Sequence, residues 1–85
     1  MEHRKFPVLV VDDEVENLDA FTLNFSRKFT IKTASSGKEA LEIARVEPIA
    51  VAIADQRMPG MLGTDFLAEF RKIRPDAVRM AGGRR

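Results

Sequence analysis

Apolar and polar positions fall into blocks along the chain, and the spacing inside each block separates strand from helix. Phe6-Pro-Val-Leu-Val-Val11 is apolar throughout, short and rich in β-branched residues. Such a run suits a strand covered on both faces, as in parallel α/β sheets. From Val15 to Phe29 the apolar residues Val15, Leu18, Phe21, Phe25 and Phe29 recur at steps of three and four. That stripe predicts an amphipathic helix. Thr30-Ile-Lys-Thr-Ala34 alternates and predicts a short edge strand. Ser36 stands three residues before Glu39, a capping-box spacing, and opens a helix over Gly37–Val46 that ends at Pro48. Ile49-Ala-Val-Ala-Ile-Ala54 is the second fully apolar run. A Pro/Gly loop follows, Arg57 to Gly63, then a helix from Thr64 to Ile73 with Phe66, Leu67, Phe70 and Ile73 on one side. Pro75 and Asp76 break it, and Ala77-Val-Arg-Met80 predicts a fourth strand. The order β-α-β-α-β-α-β implies right-handed crossovers and a parallel sheet.

Bulk properties narrow the function more than the fold. A chain of 85 residues is expected to form one domain, residues 1–85, or part of one. With 14 basic and 13 acidic side chains the net charge is +1, so no overall field points to nucleic acid or to a membrane surface. The absence of cysteine removes disulfides, thiolate metal sites and thiol catalysis. His3 is the single histidine and is read as a surface residue. No apolar stretch approaches the roughly 20 residues of a membrane helix, and a cytoplasmic location is the expectation.

Both apolar runs end on carboxylates, Asp12-Asp13-Glu14 after the first and Asp55 after the second. In open parallel sheets, ligands gather at the carboxyl ends of strands, where strand order reverses. If the two strands are neighbours, Asp12, Asp13 and Asp55 converge, and converging carboxylates are costly unless protonated or neutralised. All-oxygen clusters suit hard cations such as Mg²⁺. A plainer reading stands beside this one. Asp13 and Glu16 have the D-x-x-E spacing of a helix N-cap, worth about 1 kcal/mol. Asp55 alone could simply begin a loop.

Taken together, "VLVVDDE" and "AIADQRMPGMLGTDFL" resemble the receiver domain of two-component response regulators. The acidic pair, the later Asp, Met58-Pro59 and Gly63 match the family's spacing, from Phe6 to about Met80. The resemblance implies a flavodoxin-like (CheY-like) fold. It implies that Asp55 accepts a phosphoryl group from a histidine kinase or phosphotransfer protein and that the domain is not itself an enzyme. It implies too that Asp12, Asp13 and Asp55, with the backbone carbonyl of Arg57, hold Mg²⁺. Phosphoryl transfer needs an in-line nucleophile and neutralisation of charge on the transferring oxygens. A phosphatase of the haloacid dehalogenase type is disfavoured, because D-x-D-x-T is replaced by Asp12-Asp13-Glu14-Val15-Glu16.

The chain departs from the family downstream. The Ser or Thr expected at the end of strand four falls among Ala81, Gly82 and Gly83, and no lysine follows Lys72. Arg84 or Arg85 is the remaining cation there. The resemblance therefore predicts a receiver truncated after the start of strand four, with impaired switching. It leaves the Phe-rich helix face half uncovered and strand four as an open edge, and a homo-oligomer, domain-swapped or otherwise, is expected to cover them. The competing expectation is a non-signalling interaction module.

Overall fold

A computed structural model describes residues 6–82; His3, Gly83, Arg84 and Arg85 lie outside the described residues. The elements are β1 (Phe6–Val11), α1 (Val15–Phe25), β2 (Phe29–Ala34), α2 (Gly37–Val46), β3 (Val51–Asp55), α3 (Gly63–Ile73) and β4 (Val78–Gly82). The four strands form one sheet in the order β2-β1-β3-β4, and all three pairings are parallel. This is the flavodoxin-like arrangement, with β2 at an edge as its alternating pattern predicts. No helix among the described residues is long and apolar enough to cross a membrane.

Alternate residues of the central strands face opposite layers. Leu9 and Val11 of β1 and Ala52 and Ala54 of β3 meet α2 and α3, where Ala40, Ala44, Phe66 and Phe70 are fully buried. Val8 and Val10 face the other way, against Leu18 of α1. The layers are unequal. Two helices and the larger core cover one face, whereas α1 buries Leu18 alone and leaves Phe25 and Val15 exposed.

Helix α1 is shorter than its apolar stripe predicts. It ends at Phe25, with the Ser26 N–H bonded to the Thr22 carbonyl, and Phe29 opens β2 opposite Phe6. Asn24 and Ser26 favour local turns over helix, and a residue at position 29 gains ladder hydrogen bonds by leaving the helix. The cap over α2 forms as expected: Ser36 Oγ accepts from the Glu39 N–H at 3.1 Å. The return bond lands one residue early, where Glu39 Oε1 accepts from Ser35 N at 3.0 Å and Ser35 Oγ at 3.2 Å.

Candidate functional site: a carboxylate cluster at the strand switch point

From β1 the chain crosses to β2 on one side, and from β3 it crosses to β4 on the other. The crevice between the carboxyl ends of β1 and β3 is thus the point where strand order reverses. Register fixes what stands there. Val10 pairs with Ile53 and Val11 with Ala54, and the next residues are Asp12 and Asp55. The cluster is a consequence of two strands ending level.

The structure brings Asp12, Asp13 and Asp55 together, each offering a carboxylate oxygen within 4.8 Å of the other two. Asp12 and Asp55 are half-buried and Asp13 is exposed. A cleft of about 260 Å³ opens beside them, lined among others by Asn17, Phe21, Ile53 and Gly82. Among the described residues no lysine or arginine pairs with the three carboxylates; the ion pair formed elsewhere is Lys72 with Glu69, 3.3 Å apart on the surface. A larger hollow of about 400 Å³ lies at the opposite ends of β3 and β4. Its arginine, Arg74, is committed to the Ala44 carbonyl at 3.0 Å, and no carboxylates converge there.

Asp13 does not cap α1, contrary to the D-x-x-E expectation. Glu14 holds the N-cap position with no side-chain cap bond. Asp12 turns the chain instead, its Oδ1 accepting from the Glu14 N–H at 3.0 Å. An aspartate reaches the backbone N–H two residues on, which closes a local turn. The turn is made one residue earlier than expected, and the Asp13 carboxylate stands with Asp55 instead of on the helix.

Beyond β3 the loop is anchored at three places. Met58 is buried in the larger core, and Gly60 adopts φ +83°, the left-handed region open to glycine after Pro59. Gly63 lies directly against the backbone of Asp55 and Gln56: a Cβ there would meet the Asp55 carbonyl oxygen and come within 2.9 Å of Gln56 Cα. Gln56 binds the first turn of α3, its backbone oxygen accepting from Gly63 N at 3.0 Å and its Oε1 from Thr64 N at 3.1 Å.

Two residues escaped the sequence reading. Gln56 caps α3 from outside the helix, in place of Leu62 at the N-cap, which has no side-chain oxygen. Asn17 places its amide 3.0 Å from Asp12 Oδ2 and 3.0 Å from Glu14 Oε1. A signal for Asn17 existed, since it lies one helical turn from Glu14 at the mouth of the acidic turn. No pattern in the chain pointed to Gln56.

The sequence matches the response regulator receiver domain over residues 8–81. It is 40% identical over 80 residues to the hydrogenase transcriptional regulatory protein HoxA of Cupriavidus necator, covering 94% of this chain and 17% of HoxA. It is 42% identical over 65 residues to the transcriptional regulatory protein KdpE of Mycobacterium tuberculosis, covering 75% of this chain and 29% of KdpE. A solved response regulator receiver domain protein of Clostridium thermocellum superposes with a TM-score of 0.82 at 33% identity, over 89% of this chain and 63% of that one. The chain therefore spans a small part of those regulators and under two thirds of the solved receiver. Fold, strand-end chemistry and sequence agree: the chain belongs to the response regulator receiver domain family of two-component systems.

Proposed function

We propose that the 85 residues act as one Mg²⁺-dependent phosphoacceptor unit, with Asp55 as the acceptor. The observation that carries this is the meeting of Asp12, Asp13 and Asp55 with no basic side chain paired to them among the described residues. Receiver domains typically bind Mg²⁺ at an acidic pocket, and this donor set fits it. Three carboxylate oxygens lie within 4.8 Å of one another, a limit a little wider than the roughly 4.2 Å that Mg²⁺ ligands span at twice the usual Mg–O distance, so side-chain rotation would bring them onto one ion. Asp12, Asp13 and Asp55 would hold the ion with the Arg57 carbonyl, and the ion would neutralise charge on the transferring oxygens.

The protein's own part is positional. Gly63 and Gln56 fix the backbone around Asp55, and Met58 ties down the loop that carries Arg57. An Asp55 oxygen forms a bond to the donor phosphorus while the P–N bond to a kinase or phosphotransfer imidazole breaks, and the bonding pair returns to the ring nitrogen. The reading includes impaired switching. Register sets Ala81 beside Ala54 and Gly82 beside Asp55, so β4 offers no hydroxyl at either place.

Incubation with acetyl phosphate and Mg²⁺, followed by intact-mass measurement, tests the assignment. One phosphoryl adduct is expected on the wild type and none on Asp55→Asn. An adduct that survives the substitution removes Asp55 from the role.

A second reading, self-association, is favoured by the surface of β4. Val78 and Met80 are 57% and 52% exposed, and the outer edge of β4 is unpaired among the described residues. Sedimentation at micromolar concentration tests it, and a compact monomer rules it out.

A further inference from the structure

We infer that Asn17 is a positioning residue for the acidic cluster: its side-chain amide holds Asp12 in a binding orientation before any cation arrives. The inference rests on the phosphoacceptor reading and adds to it a residue outside the ligand set. Asn17 Nδ2 donates to Asp12 Oδ2 at 3.0 Å, and the Glu14 backbone N–H donates to Asp12 Oδ1 at 3.0 Å. Each Asp12 oxygen is held by one donor and keeps a second lone pair for a cation. Among the described residues, by contrast, no hydrogen bond reaches the Asp13 or Asp55 carboxylate. One carboxylate is therefore ordered in advance, and two are left to be ordered by whatever binds. Ordering a side chain has an entropic cost that a pre-held ligand avoids.

The choice of an amide has a physical reason. Asn17 supplies a donor without a positive charge. A lysine in its place would pair with the carboxylates and compete with a divalent cation. An amide orients Asp12 and leaves the negative potential of the cluster in place.

The plainer explanation is a first-turn hydrogen bond that stabilises α1. Two facts weigh against it. Side chains that cap a helix start accept from its free N–H groups, whereas the Asn17 amide donates to two carboxylates and satisfies no helix N–H. Asn17 is also half-buried in the wall of the cleft that contains Asp12 and Asp55.

Calorimetric titration of Mg²⁺ into wild type, Asn17→Ala and Asn17→Gln tests the inference, together with the acetyl phosphate reaction across Mg²⁺ concentrations. Asn17→Ala is expected to weaken Mg²⁺ binding about tenfold, the lower end of the range for partners that orient metal ligands. Asn17→Gln should recover part of the loss. The half-saturating Mg²⁺ of the reaction should rise while its plateau rate stays unchanged, and the urea midpoint without Mg²⁺ should not move. Equal Mg²⁺ affinity in wild type and Asn17→Ala overturns the inference and leaves the phosphoacceptor reading intact. So does an affinity loss matched by a fall in metal-free stability. A wild type that binds no Mg²⁺ overturns both.

Discussion

Glycines at 60 and 63 occupy the same loop and are needed for different reasons. Gly60 has a positive φ but open space, since nothing lies within 4 Å of where its Cβ would be. Alanine there meets only the backbone penalty of the left-handed region, about 1–2 kcal/mol. Gly63 has an ordinary helical backbone, but its Cβ would run into the carbonyl of Asp55. Backbone is the obstacle, so the strand end must move, with a cost of about 1–3 kcal/mol or more. Gly63→Ala is therefore predicted to lower the urea midpoint and to slow acetyl phosphate labelling of Asp55. Gly60→Ala should lower stability with a smaller effect on labelling. Equal labelling defects in the two variants would show that contact with Asp55 is not what matters at 63.

Among the elements, the helices differ in how they are held. Helix α3 buries Phe66 and Phe70 completely, the two rings 5.8 Å apart, and its start is bound by Gln56. Helix α2 buries Ala40, Leu41 and Ala44 and has a side-chain cap. Helix α1 buries only Leu18, has no side-chain cap, and stacks Phe21 on Phe25 at the margin with ring centroids 4.6 Å apart. Local opening follows buried apolar contact. The amides of α1 are thus predicted to exchange with deuterium well before those of α3. Protection of Val15–Phe25 equal to that of Gly63–Ile73 would contradict the unequal layers described above. The same element presents Asn17 to the cleft, so a cation bound at the cluster should slow exchange at the start of α1.

At the scale of the whole molecule, the sheet separates a well-covered face from a thinly covered one. Val51 and Ile53 of β3 pair with Val78 and Met80 of β4, placing all four on the face that α1 shares. With Val78 and Met80 more than half exposed, and Leu23 81% exposed on α1, this side carries accessible apolar surface next to the edge of β4, while on the other layer Val46 of α2 is 77% exposed. Exposed apolar area beside a strand edge left unpaired among the described residues favours association. The proposed self-association then predicts concentration-dependent sedimentation in the wild type that Val78→Lys reduces, with far-UV circular dichroism unchanged. Concentration-independent sedimentation as a monomer would sink it.

Much of this was legible in the chain, for identifiable reasons. Phe6–Val11 and Ile49–Ala54 are apolar at every position, the pattern of a strand covered on both faces, and they mark the two central strands; the second run starts two residues before β3, whose Val51 and Ile53 are only half-buried. Ser36 and Glu39 announced α2 because a cap is local chemistry within four residues. Asp12, Asp13 and Asp55 were legible as candidates because carboxylates at two strand ends are unusual together. Other features depend on distance in space. The end of α1 was set by the partner Phe29 finds in Phe6. The turn into α1 was made by Asp12 where the spacing pointed to Asp13. Gln56 and Asn17 act through bonds to residues whose positions the fold determines. The sequence by itself determined the period of each element and the chemistry at its ends, since both depend on neighbours along the chain. Only the tertiary structure decided which strand ends stand level and which donors reach them, because register and crossover bring together residues more than forty positions apart.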